Sequence, residues 1–212
     1  MAASLSVDRD QPVFQLIHLQ GTHWPMVVDE RCGFREPPFG ITRESTTNQS
    51  RCNLIKLLDL FQSMQTHGIY DDALIIVMAD HGAQLPPVRY KPNEADGGIF
   101  VNEWIAAQAT PLLAIKRPGD RDSIQVSEAP TSIANVPATL NKALGLGGIF
   151  SNPSIFDLDE HTERIQSFYV YPWARADWTS DYATPIRELL VEGSPYTGTW
   201  RLGREFKPPP GE

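Results

Sequence analysis

The stretch "YDDALIIVMADHGAQ", Tyr70–Gln84, decides how the rest of the chain is read. Leu74 to Ala79 are six consecutive apolar residues, rich in β-branched side chains. Such a run predicts a strand covered on both faces, as in a parallel sheet. It ends in Asp80, His81 and Gly82. In open α/β sheets ligands collect beyond the carboxyl ends of strands, and Gly82 permits a sharp backbone departure there. A carboxylate oxygen beside an imidazole nitrogen suits zinc, manganese, calcium or another divalent ion. Two adjacent donors do not fill a coordination sphere, so the other ligands must come from elsewhere. The plainer alternative is that both residues only cap the strand and the following turn.

Working outward, Ser50–Gly68 has helical spacing, with Leu54, Leu57, Leu58, Phe61 and Met64 on one face, Ser50 as N-cap and Gly68 as stop. Before it, "VFQLIHL" (Val13–Leu19) reads as a strand and Gly21–Gln49 as a long irregular segment with a turn at "EPPFG". After the apolar strand, Ala83–Gln108 is loop-like. "TPLLAIKRPG" (Thr110–Gly119) is a second short strand ending in a Pro-Gly turn. Asn135–Leu144 is a helix with Asn135 as cap and Pro137 in its first turn. Ile165–Tyr171 is a later strand, and "REFKPPPGE" an extended tail. Helix followed by strand through a short link is α/β construction.

The formal charge of −8 argues against a nucleic-acid partner, which needs a surplus of Lys and Arg. No apolar run reaches the roughly 18–20 residues that span a bilayer, and the N-terminal residues lack the pattern of a secretion signal. Cys32 and Cys52 are read either as two thiols or as one disulfide, the latter contributing roughly 3 kcal/mol in an oxidising compartment. "HLQGTHWP" (His18–Pro25) supplies two histidines. His18 falls within the strand pattern, as a hydrogen-bonded core or edge residue. His23 belongs to a turn just past the strand end, where an imidazole can donate to an anionic oxygen.

Taken together, "GIYDDALIIVMADHG" closely resembles the signature of the sulfatase and alkaline-phosphatase superfamily. "LIHLQGTHWP", "TPLLAIKRPG" and "SIANVPATLNKALGL" resemble three further segments of it in the same order, with Asn135 where the family usually has Asp. The histidine turn is most similar to that of phosphoethanolamine and phosphoglycerol transferases. The resemblance implies an alkaline-phosphatase-like α/β sandwich with a largely parallel central sheet, its motifs within residues 13–150 and C-terminal strands and tail in 151–212. It further implies metal ligation by Asp80 and His81, contact of His23 with a phosphate or sulfate ester, and an extracytoplasmic location. Lys116 has no clear counterpart.

The family's nucleophile and its first acidic ligands precede the histidine turn, and nothing near Asp8 or Asp10 resembles them. Cys32 and Cys52 come too late and lack the Cys-x-Pro-x-Arg pattern. The expectation is a C-terminal portion of such an enzyme with an incomplete metal site and no catalytic nucleophile. It would either dimerise through an exposed sheet edge or be partly disordered in Gly21–Gln49 and Ala83–Gln108. The competing expectation is a binding module for a glycan, lipid headgroup or protein partner, using the aromatic stretch "FYVYPWARADWTSDY".

Overall fold

The computed structural model describes residues 13–19, 21–83, 85, 94–95, 99–100, 103–148, 150–171, 184–195 and 198–207. The chain divides into two compact units, Met1–Ile75 with Ile115–Asp122, and Ile76–Ala114 with Ser123–Glu212.

In the first unit, β1 (Met26–Val28) and β2 (Phe34–Phe39) form an antiparallel hairpin. Asp29 shapes its turn by accepting the amides of Arg31 and Gly33 at 2.9 and 2.8 Å, and these bonds lower its pKa, Gly33 contributing most. Pro37 and Pro38 donate no ladder bond, which suits an edge strand. A helix, α1 (Arg43–Thr66), follows. Its true N-cap is Thr42, which exchanges reciprocal bonds with Ser45 in a capping box, so the helix starts eight residues before the Arg51 that a Ser50 cap implies. The stop is as expected: Gly68 has φ of +70°, its amide bonds Gln65, and the next amide bonds Met64. That is a Schellman closure.

Two sequence expectations for this unit are corrected. Gly21–Gln49 is not one irregular segment, because the hairpin and the first turns of α1 occupy most of it. Val13–Leu19 carries no strand, and His18 is exposed rather than a core or edge residue. A strand needs a partner for its ladder, and these residues have none among the described ones. The helix also turns the face that its leucines did not predict. Leu54, Ile55 and Leu58 are exposed, while Ser45, Gln49, Cys52 and Leu60 are buried. Side-chain bonding explains it. The Gln49 carboxamide accepts the Val27 amide at 2.8 Å and donates to the His23 and Pro25 carbonyls at 3.0 and 3.2 Å. Cys52 is joined to Cys32 of the hairpin turn. The disulfide alternative therefore holds over the free thiols.

Next along the chain come β3 (Ile75–Met78), β4 (Glu94–Ala95), β5 (Ile99–Phe100), α2 (Glu103–Gln108) and β6 (Leu113–Lys116). Strands β3 and β6 pair as a two-stranded sheet, and β4 pairs antiparallel with β5. The Ala79 amide bonds the Leu112 carbonyl and the Gly119 amide bonds that of Asp71, the order of an antiparallel pair. β3 is only half-buried and Met78 is 44% exposed, so the strand is not covered on both faces.

The second unit continues with α3 (Val136–Ala143), which has Pro137 in its first turn and closes at Gly145 as α1 closes at Gly68. Asn135 occupies the N-cap position, but its side chain makes no bond to α3. It is fully buried, accepts from the Ser132 amide and Arg164 Nη1, each at 2.8 Å, and donates to the Pro153 carbonyl at 2.9 Å. That last donor is one an aspartate lacks.

Strands β7 (Ile165–Val170), β8 (Ile186–Glu192) and β9 (Thr199–Phe206) form an antiparallel sheet. Its buried Leu189, Val191 and Trp200 form the core, against which Ile105, Ala109, Phe168 and Val170 pack. The expected parallel central sheet is thus not found among the described residues, where every sheet has two or three strands. Helices and strands are both present, as an α/β chain requires.

Two stability measurements follow. Reducing the Cys32–Cys52 disulfide is expected to lower the first unit's stability by about 3 kcal/mol through loop-closure entropy. An unchanged denaturation midpoint under reductant contradicts this. In β8, Glu188 is bonded by the Arg204 side chain at 3.2 Å, by the Arg204 amide at 3.1 Å and by Tyr169 Oη at 3.2 Å. Led by the Arg204 side chain, these bonds lower its pKa from 4.5 to about 2. A depressed carboxylate pKa stabilises the fold above the unfolded value, and that stability is lost as pH falls from about 4.5 towards 2. Glu188→Gln should flatten the acid limb in this window when unfolding is followed by circular dichroism, and an unaltered limb rules the linkage out.

Candidate functional site

The Asp80–His81 pair sits directly after β3, in the second unit. Three backbone features hold it. The Ala79 amide is tied to the Leu112 carbonyl at 2.9 Å, the Gly82 amide to the Gln108 carbonyl at 3.0 Å, and the chain presses against the last turn of α2. A Cβ on Gly82 would lie 1.8 Å from the Ala107 carbonyl oxygen, so this position has no room for a side chain. The glycine is therefore needed for a close approach, whereas the sequence suggested a sharp departure. Gly82 is not among the residues with positive φ. Helix α2 is fixed in turn. Ala106 and Ala107 are buried, Thr110 Oγ1 bonds the carbonyls of both, and Ile105 and Ala109 pack on the Leu189–Val191–Trp200 core.

On this mount the two side chains are near one another and open to solvent. Asp80 is 90% and His81 56% exposed at the side chain. Asp80 Oδ1 accepts the His81 amide at 3.0 Å. His81 Nδ1 lies 2.8 Å from the Gly82 carbonyl oxygen, which can only accept. In the neutral ring the proton therefore sits on Nδ1, and Nε2 keeps its lone pair. Nε2 is 3.9 Å from Asp80 Oδ2. These two atoms would hold a divalent ion between them, which would supply Lewis acidity there. The donor types and the tautomer fit a divalent ion. Among the described residues no group of three His, Cys, Asp or Glu side chains could hold one.

His23 belongs to the first unit, in the turn before β1. Its ring Nδ1 bonds the Trp24 carbonyl, and its own carbonyl accepts from Gln49. His23 lines a cavity of about 300 Å³ together with Trp24, Pro25, Asn53 and Lys56, among others. Sequence reasoning named His23 but missed this cavity. The available signal was the stripe Gln49, Cys52, Asn53, Lys56, which recurs at helical spacing on one face of α1. The Lys116 ammonium bonds the carbonyls of Asp71 and Arg117 at 3.0 Å each and lies over the Tyr70 ring at 4.9 Å, which makes it a structural cation. Asp8 and Asp10 lie outside the described residues, as do residues 172–182 of the aromatic stretch and the last five residues of the tail.

The exposed carboxylate–imidazole pair at this strand tip offers two donors of types that bind divalent ions. The sulfatase family model matches residues 2–146, about two thirds of the chain, and the chain belongs to the sulfatase family. Members of that family act on sulfate esters and are in general metal-dependent. Comparisons with curated proteins and with solved structures find no match. No helix among the described residues is long and apolar enough to cross a membrane.

Gly82→Ala tests the mount. Forcing a methyl against the Ala107 carbonyl is expected to cost about 1–3 kcal/mol, read as a lowered denaturation midpoint. An alanine variant as stable as the parent would mean that the close approach does not exist.

Proposed function

We propose that the chain contributes the metal-binding strand end and a substrate-contacting histidine to a sulfatase-like phosphotransferase or phosphoric/sulfuric ester hydrolase of the phosphoethanolamine or phosphoglycerol transferase kind. Asp80 and His81 hold the divalent metal, zinc, manganese or calcium. His23 contacts the anionic group of the ester. The observation that carries this reading is the arrangement of the pair: Nε2 of His81 and Oδ2 of Asp80 are 3.9 Å apart and solvent-exposed, while Nδ1 and Oδ1 are engaged by neighbouring backbone.

A metal bound there supplies Lewis acidity towards an ester oxygen. The protein's own part is to fix the imidazole tautomer through the Gly82 carbonyl and to hold the tip rigid through α2. The reading leaves the nucleophile and the remaining ligands to residues outside the described ones. A pair of donors without its partners binds metal weakly, so turnover by the described residues alone is not expected. The Cys32–Cys52 disulfide supports an extracytoplasmic location, since such bonds persist in oxidising compartments.

Metal titration of the 212-residue chain tests the assignment, with zinc and manganese followed by calorimetry and by the His81 ring resonances. Asp80→Ala and His81→Ala are each expected to weaken binding at least about tenfold, in the range seen when even supporting groups of a metal site are removed. Parent-like affinity in both variants would overturn the metal reading.

A further inference from the structure

We infer that Asn48, on α1, is a modification site that accepts an N-linked oligosaccharide. The inference rests on the extracytoplasmic location proposed above. Two stretches of the sequence read Asn-x-Ser, namely Asn48-Gln49-Ser50 and Asn152-Pro153-Ser154. Proline in the middle position blocks acceptance, so the first is the usable acceptor pattern. The chemistry of the compartment is written into the same helix. Cys52, one turn beyond Asn48, is bridged to Cys32 of the hairpin turn. Disulfides persist where thiols are oxidised, and secreted chains that pass through such compartments are the ones that carry glycans on this pattern.

A glycan is bulky and hydrated, so it needs a surface position. Asn48 is half-buried, and its side chain has no hydrogen bond among the described residues. Other asparagines are committed: Asn53 donates to the Gln49 carbonyl at 2.8 Å, and Asn135 is fully buried among its partners. Thr47 beside Asn48 is exposed, as are Glu44 and Arg51, its neighbours one turn before and after on that side of the helix. Gln49 and Cys52, which fasten α1 to the hairpin, line the cavity beside His23, and Asn48 is not among its lining residues. A substituent on Asn48 therefore leaves both the fastening and the cavity intact. The order of events follows from Ser50, whose hydroxyl donates to the Thr46 carbonyl at 2.8 Å in the folded helix. Once α1 has formed, the hydroxyl of the acceptor pattern is engaged, so transfer precedes closure of the helix. In that step the Asn48 amide nitrogen attacks the anomeric carbon of an oligosaccharide carried on a polyprenyl diphosphate. A carbon–nitrogen bond forms and the bond from that carbon to the diphosphate oxygen breaks. The lipid diphosphate leaves with the electron pair, and one amide proton passes to a base of the transferase.

The test secretes the 212-residue chain from eukaryotic cells behind a secretion leader and reads its intact mass. The parent should be heavier than Asn48→Gln by one oligosaccharide, and an enzyme that cleaves N-linked glycans should abolish the difference. Peptide mass mapping should place the glycan on Asn48. Ser50→Ala should lose it, Ser50→Thr should retain it, and Asn152→Gln should change nothing. A bare Asn48 in secreted chain whose Cys32 and Cys52 are bridged would overturn the inference and leave the extracytoplasmic reading in place. Free Cys32 and Cys52 thiols in the chain isolated from its own cells would overturn both. Neither result touches the Asp80–His81 assignment, which stands on its own metal titration.

Discussion

The contact on which the Asp80–His81 tip depends is the approach of the Gly82 backbone to the last turn of α2. Side chains flanking a strand end are ordinarily free to wander with their loop. Here the loop is held from two sides, by the Ala79–Leu112 bond behind the pair and the Gly82–Gln108 bond ahead of it. Small residues make this feasible. Gly82 has no Cβ to keep the chains apart, and Ala106 and Ala107 bring the α2 backbone close. Ile105 and Ala109 carry the constraint onward to Leu189, Val191 and Trp200. The exposed Asp80–His81 pair is thus fastened to the Leu189–Val191–Trp200 core.

The same economy of backbone anchoring recurs in the first unit, with different chemistry. A glutamine and a disulfide attach α1 to the hairpin and the His23 turn. The consequence is that Ser45, Gln49 and Cys52 are buried with Leu60, while Leu54, Ile55 and Leu58 remain exposed. An apolar stripe of that kind reports a helix reliably but reports its buried side only when hydrophobic burial decides the orientation. In α1 the bonds of Gln49 and Cys52 decide it.

Legibility in the sequence followed the range of the interactions. Gly68 as a helix stop, Pro137 in the first turn of α3, and the strands Ile75–Met78, Leu113–Lys116 and Ile165–Val170 were readable because each rests on local backbone preference or a local apolar run. Thr42 was missed as the N-cap because its Thr-x-x-Ser box was overshadowed by the apolar periodicity that starts later. Val13–Leu19 has a strand's composition, but pairing is a long-range property that composition does not contain. The role of Asn135 escaped for a related reason. Its partners, Pro153 and Arg164, are 18 and 29 residues away. At the site, residue types singled out Asp80, His81 and the histidine turn as candidates. The steric need for Gly82 and the cavity at Lys56 depend on atoms brought in from other elements, and the tautomer of His81 depends on the direction of the neighbouring Gly82 carbonyl.

Native-state hydrogen exchange at the Gly82 amide tests the central claim most directly, because that amide is the bond joining the tip to α2. Protection reports the free energy of the opening that frees an amide. The account predicts that Gly82 exchanges with protection comparable to the amides of β8 around Leu189 and Val191. Exchange of Gly82 at a nearly unprotected rate, while β8 stays protected, would show that the strand tip moves independently of the core and would contradict the account.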